Sequence, residues 1–274
     1  IGKVVLTMPC VRVSIREEMN KRLGISGMAD MTVALSSSSS SSTPPPSLSL
    51  SLSLSLSKSS VIDYSKGTYI ITGGLGGLGL LTAKCLVRVG VKRMVLVSRS
   101  GKVSYADQGL ESTLRWLQEE SGAEVLLRCC DVSDESSVTS LMDEFMMCEG
   151  GIGGIIHSAG VLRDGLIRGG AASRGSVDVW RSKALSASLL DRLSRRIMDV
   201  NMGSSSLSSS SSTSSSPMSI FLSYSSITSA IGNLGQSAYG AANRYLDELM
   251  RDRGRAGLSG VSIRWPAIRG VGMA

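Results

Sequence analysis

The run Thr72-Gly73-Gly74-Leu75-Gly76-Gly77-Leu78-Gly79 restricts the fold more than any other feature of this chain. It follows a short apolar segment, Tyr69–Thr72, and opens a helix-compatible one, Leu78–Val89. Glycines at such a junction permit a tight turn and let a pyrophosphate approach the backbone, where a helix N-terminus favours its negative charge. A glycine string alone marks many ordinary turns. The order strand, glycine turn, helix is what points to nucleotide binding.

The same alternation continues downstream. Strand-like runs occupy Tyr69–Thr72, Met94–Ser98, Glu124–Arg128, Gly154–His157, Ser219–Ser223 and Val261–Trp265. Between them lie helix-compatible stretches near Leu78–Val89, Leu110–Glu120, Glu135–Met147, Val177–Ile197 and Ala238–Arg253. Six strands with five intervening helices predict an α/β fold, a doubly wound parallel sheet covered on both faces. Ligands of such folds bind at the carboxyl ends of the strands. With 42% hydrophobic residues but only 4% aromatic ones, the core must be built from aliphatic side chains and methionine.

Two low-complexity inserts divide the chain. One runs from Ser36 to about Ser60, as polyserine, then Pro44-Pro45-Pro46, then alternating Ser-Leu. The other, almost all serine, runs over 203–216. Polyserine cannot bury enough surface to offset its ordering entropy, so both are expected to be disordered. The Ser-Leu alternation reads as a flexible linker or an edge strand. The expected organisation is residues 1–35 as the tail of a preceding domain, 36–66 as linker, and 67–274 as one domain bearing the second insert. The chain begins at Ile1 without an initiating Met, which reads as a piece of something longer.

Composition excludes several chemistries. Five cysteines without a CxxC pair predict neither a disulfide framework nor a zinc site, and point to a reducing, cytoplasmic setting. The single histidine, His157, rules out a multi-histidine metal centre. No metal is expected. No apolar run is long enough to span a bilayer, so no membrane partner is expected. A net charge of +7 favours anionic ligands. The basic residues are scattered, however, and Arg251, Arg253 and Arg255 read as a solvated helix end, so nucleic acid is not the expected partner.

Further candidates lie where the strands end. After the second strand, Ser98-Arg99 offers a guanidinium where a carboxylate would favour a ribose diol, which points to a 2′-phosphate and NADP. The alternative is a surface arginine. After the third, Asp131-Val132 offers an acceptor for the adenine amine or an N-terminal cap region for the next helix. Tyr239 and Asn243, four apart, share a helix face, and Ser226 lies thirteen residues before Tyr239. A phenol ordinarily titrates near 10, and a nearby ammonium, for which Lys183 is the candidate, would bring it toward the working range.

Residues 68–274 resemble the ketoreductase domain of polyketide synthases and animal-type fatty acid synthases, a branch of the short-chain dehydrogenase/reductase superfamily with a Rossmann-type fold. The match is carried by Thr72–Gly79, Ser98-Arg99-Ser100-Gly101, Asp131-Val132, His157-Ser158-Ala159-Gly160-Val161, and Gly235 to Asn243, in that order. Ser262-Ile263-Arg264-Trp265 and 270–274 resemble the family's ending.

The resemblance implies a tetrad of Lys183, Ser226, Tyr239 and Asn243. It implies hydride transfer from NADPH to the β-carbonyl of an acyl chain on the phosphopantetheine arm of an acyl carrier protein. Ser226 would hydrogen-bond the carbonyl, Tyr239 donate the proton, Lys183 stabilise the phenolate and Asn243 hold the proton relay. His157, Ser158, Ala159 and Gly160 would lie beside the cofactor, His157 as pocket wall or as a satisfied core histidine, Gly160 letting backbone approach the ribose. Leu162-Arg163-Asp164, with Ile231 eight before Tyr239, resembles the type that forms a D-configured β-hydroxyl. The alternative for the triplet is a solvated loop with a charge pair.

The N-terminal Gly2-to-Pro9 stretch resembles the last strand of an enoylreductase, which implies other megasynthase domains as partners. Several features depart from the family: Gly169–Ser176 is poor in helix formers ahead of Lys183, Pro266 follows Trp265, and the chain ends before the family's lid helix and last strand. The competing readings are a free-standing short-chain dehydrogenase for a small ketone or alcohol, and a non-catalytic nucleotide-binding domain.

Overall fold

The computed structural model describes residues 63–104, 108–167, 171–203, 218–268 and 270. The expected tail at 1–35, most of the linker and the serine insert from 204 onward lie outside the described residues.

Six strands form one sheet: β1 (Thr68–Thr72), β2 (Arg93–Ser98), β3 (Glu124–Cys129), β4 (Ile152–His157), β5 (Ile220–Ser226) and β6 (Val261–Trp265). Their spatial order is β3-β2-β1-β4-β5-β6, and every pairing is parallel. The doubly wound expectation therefore holds. All residues of β1, β4 and β5 are buried, as apolar runs between two helical layers require, while β3 and β6 at the edges are only partly covered.

The helices are α1 (Gly77–Arg88), α2 (Leu110–Glu119), α3 (Glu135–Met146), α4 (Ala171–Trp180), α5 (Ser186–Gly203), α6 (Thr228–Ile231) and α7 (Ser237–Arg255). A π-helical turn, Arg181–Leu185, joins α4 to α5 without a break in helical dihedrals. Gly203, expected to open the second insert, is the last residue of α5. The stretch poor in helix formers ahead of Lys183 is helical from Ala171. Helix α3 starts at Asp134, whose carboxylate accepts from Ser137 N at 2.8 Å. That bond and those from the Ser137 and Ser136 hydroxyls push the carboxyl down to about 2. The cap is thus Asp134 and not Asp131.

One side of the sheet packs Ile70, Val95 and Phe221 against Val138 and Phe145 of α3, Leu190 and Leu193 of α5, and Met250 of α7. Helices α1 and α2 pack together, and neither contributes a side chain to that cluster. Arg253 corrects the reading of a solvated helix end. Its side chain is fully buried, ion-paired to Asp191, bonded to Ser194 Oγ at 3.0 Å and Ser259 O at 2.7 Å, and stacked 4.4 Å from the Phe221 ring centroid. A cation so enclosed locks α7 to α5, and removing either charge of such a pair typically costs about 3–5 kcal/mol.

Candidate active site

The order of strands reverses between β1 and β4, and a crevice opens there beyond their carboxyl ends. It is a cleft of about 520 Å³. Among the expected cofactor residues, Gly73, Ser98, Arg99, Asp131, Val132, Ala159 and Gly160 line it. Val161, the last residue of the His157–Val161 run, also lines it, as do Asp178, Arg181 and Ser182, which were not singled out from the sequence. Arg181 and Ser182 directly precede Lys183 in the chain, and that adjacency is the signal that could have found them.

The glycine turn is compact. Gly73 adopts a φ of 65°, and a Cβ there would lie 2.8 Å from the Ala159 backbone. A Cβ on Gly79 would lie 2.3 Å from Gly73 O, so the helix begins directly against the turn. Leu75 is buried, and Gly76 caps α1 without a side-chain hydrogen bond. The first turn of α1, which holds Gly77, Leu78 and Gly79, contains no acid. That helix end offers its backbone N–H groups and dipole to an anion with no carboxylate competing.

Asp131 sits opposite. Burial opposes its ionisation, but the Ser133 N–H and hydroxyl donate to it at 3.0 and 2.7 Å, and Arg99 and Arg181 add positive charge. The carboxyl is held below its ordinary value. Arg99 and Arg181 line the cleft together with Asp131 and Asp178.

Thr72 and His157 lie beneath the cleft floor. His157 is wholly buried, with Nδ1 2.7 Å from Thr72 Oγ1 and Nε2 3.0 Å from Lys183 O and 3.1 Å from Ser186 Oγ. Burial, with the Lys183 charge, pushes the imidazole down to about 3, so it is neutral at ordinary pH. Of its two expected places, the satisfied core histidine is the observed one. Ser158 joins the same floor, its hydroxyl donating to Thr72 O at 2.7 Å.

Lys183 stands on the π-helical turn, 3% exposed. Its ammonium donates to Tyr224 O of β5 at 2.8 Å and lies 5.4 Å from the Tyr239 ring centroid. Burial pushes it down to about 8, opposed by the charge of Asp247. Tyr239, in the first turn of α7, packs against the cluster of Val179, Ala184 and Ala242. Burial raises its phenol above the ordinary value; Asn243 acts against this and Asp164 with it. Asn243, one turn on, donates Nδ2 to Tyr239 O at 2.8 Å. Its buried Oδ1 has no hydrogen-bond partner among the described residues. Ser226 ends β5, and its hydroxyl accepts from Thr228 N at 3.2 Å. Tyr239 and cleft-lining Val161 thus pack against the same small cluster, and the tyrosine ring lies beside the lysine.

Leu162-Arg163-Asp164 forms two separate links. Arg163 Nε lies 3.6 Å from Asp178, whereas Asp164 accepts from Gln236 Nε2 at 2.9 Å, and Gly165 N bonds Gly235 O at 2.9 Å. The loop after β4 is thereby tied to the loop leading into Tyr239. Ile231 is 77% exposed nearby in sequence.

A family model for the KR domain matches residues 67–216 and 203–270. The chain belongs to the ketoreductase domain family of polyketide synthases. It is 34% identical over 208 residues to polyketide synthase GfsA of Streptomyces halstedii, covering 76% of this chain and 2% of that protein. It is also 34% identical over 201 residues to the pikromycin polyketide synthase component PikAII of Streptomyces venezuelae, covering 73% and 5%. The ketoreductase domain therefore spans a small fraction of these relatives' length.

Among solved structures, it superposes on A-type ketoreductases from modular polyketide synthase with a TM-score of 0.62 at 28% identity, covering 76% of this chain and 39% of that one. A ketoreductase from the first module of phoslactomycin biosynthesis in Streptomyces sp. HK803 gives 0.62 at 30%, covering 76% and 43%. Levodione reductase, at 23% identity and a TM-score of 0.57, shares the fold. The ketoreductase fold implies a nicotinamide cofactor, and the acid-free start of α1, the glycine turn and the arginine-lined cleft fit one. Among the described residues no group of side chains could hold a metal ion, and no helix is long and apolar enough to cross a membrane.

Proposed function

We propose that this domain reduces a β-ketoacyl thioester, presented on the phosphopantetheine arm of an acyl carrier protein, to the β-hydroxyacyl thioester with NADPH. Lys183 carries the proposal. A buried ammonium bonded to a strand carbonyl and set beside the Tyr239 ring is costly to keep, and it gains a purpose where phenolate charge develops. When bound, the nicotinamide supplies the hydride to the β-carbon. Ser226 is assigned to hydrogen-bond the β-carbonyl oxygen, and Tyr239 to donate its proton there as alkoxide charge builds. Lys183 then stabilises the phenolate. Asn243, with its buried unpaired Oδ1, is assigned to hold the group that returns a proton.

On the cofactor side, the Thr72–Gly79 turn and the start of α1 are assigned to the pyrophosphate, Arg99 to a 2′-phosphate, and Asp131 with Val132 to the adenine. Acyl carrier protein and further synthase domains are the proposed partners. The test is consumption of NADPH on adding a β-ketoacyl thioester of N-acetylcysteamine. A reductase oxidises it in proportion to thioester, while a domain that only binds NADPH leaves the rate unchanged.

A further inference from the structure

Asp247 lies on α7 one turn beyond Asn243 and two beyond Tyr239. Its side chain is 4% exposed, yet every described partner donates to it. Ser229 Oγ and Arg264 Nε donate to Oδ2, both at 2.7 Å, and Ser262 Oγ donates to Oδ1 at 2.7 Å. Burial alone would raise this carboxyl, but the Ser229, Ser262 and Arg264 bonds more than offset it, so it is ionised at neutral pH.

Two of the elements it touches matter to the site. Ser229 belongs to α6, the short helix whose start is fixed by Thr228 N donating to Ser226 Oγ. The Ser225 hydroxyl also bonds Asn243 O, at 3.1 Å, so the Ser226 end of β5 and the Tyr239 helix are joined twice. Meanwhile α7 packs on the π-helical turn that bears Lys183. If α7 needed only packing here, an apolar side chain would serve as well, because buried ion pairs contribute little net stability.

We propose that Asp247 is a positioning residue of the reductase site, clamping the Ser226 turn to the Tyr239 helix. The catalytic part of this rests on the reductase reading of Lys183, Ser226 and Tyr239. Arg264 and Ser262 of β6 also hold the carboxylate, so the clamp ties α6, α7 and β6 at one point.

The test is steady-state kinetics of the full chain with NADPH and a β-ketoacyl thioester of N-acetylcysteamine, for wild type, Ser229→Ala and Asp247→Asn. Ser229→Ala, which removes one arm of the clamp, is expected to lower kcat several-fold with the KM for NADPH and the thermal midpoint unchanged. Asp247→Asn, which loses the charge that all its donors share, is expected to lower kcat further.

Unchanged kcat in Ser229→Ala overturns the clamp. Should Asp247→Asn fail to fold, Ser229→Ala still decides. A wild type that consumes no NADPH would defeat the reductase reading, whereas amide hydrogen exchange, expected to quicken in Ser229→Ala at residues 226–231, would still judge the clamp.

Discussion

Lys183 crosses Gly160 so closely that a Cβ on the glycine would lie 2.8 Å from Lys183 Cε and 3.2 Å from Nζ. Gly160 lines the cofactor cleft, so this contact is where the cleft meets the ammonium. The expectation of a ribose beside Gly160 stands as a proposal; the close approach described here is by the Lys183 side chain.

Gly160→Ala should therefore fold, because the atoms met are the far end of a flexible side chain, but the ammonium must move. A displacement of an ångström at a reacting centre can cost about 100-fold. The expected result is a kcat at least about tenfold lower with near-normal thermal stability. Wild-type kcat in Gly160→Ala would show that the contact is incidental.

Replacing Lys183 by Met should stop reduction and stabilise the fold. The folded ammonium titrates at about 8 against an ordinary 10.5. The unfolded chain thus binds more protons between those values, and wild-type stability rises with pH from 8 to 10.5. Below pH 8 the full penalty applies, up to roughly 3 kcal/mol, less the lost bond to Tyr224 O. Urea denaturation at pH 7 and pH 10 should show a rising trend in wild type that Lys183→Met lacks.

His157 makes the acid side equally specific, being the only imidazole in the chain. It is pushed down to about 3 when folded, whereas the unfolded residue protonates near 6.5. Stability is complete above 6.5 and falls as pH drops toward 3, at up to about 1.4 kcal/mol per unit. Between pH 6.5 and 5 few carboxylates titrate. Denaturation midpoints for wild type should fall across that interval and stay level in His157→Gln.

Arg99→Ala should weaken NADPH by about 10- to 100-fold and leave NADH nearly unchanged, as expected for loss of one charge-assisted contact to a phosphate. Fluorescence titration with both cofactors decides this. Equal losses would instead place Arg99 against a part that both cofactors share.

The sheet was legible because its central strands are apolar runs separated by helix-compatible stretches of suitable length, and parallel pairing leaves such a pattern few arrangements. The glycine turn, Arg99, Asp131 and Val132 were legible because they follow strand ends. Three features were not. The Arg253 cation looked like any charge in a helix tail, since its partner Asp191 is 62 residues away. Asp131 and Asp134 are equally good caps by residue type, and only the Ser137 N–H chose between them. The π-helical turn leaves no mark in the spacing of apolar residues, although it carries Lys183.

The most direct measurement is NADPH oxidation by wild type and Tyr239→Phe with the same β-ketoacyl thioester, alongside NADPH binding by each. The account predicts thioester-dependent oxidation in wild type, and in Tyr239→Phe a loss of at least about 100-fold, as for removal of a general acid, with cofactor affinity retained. Equal turnover by the two proteins would contradict it.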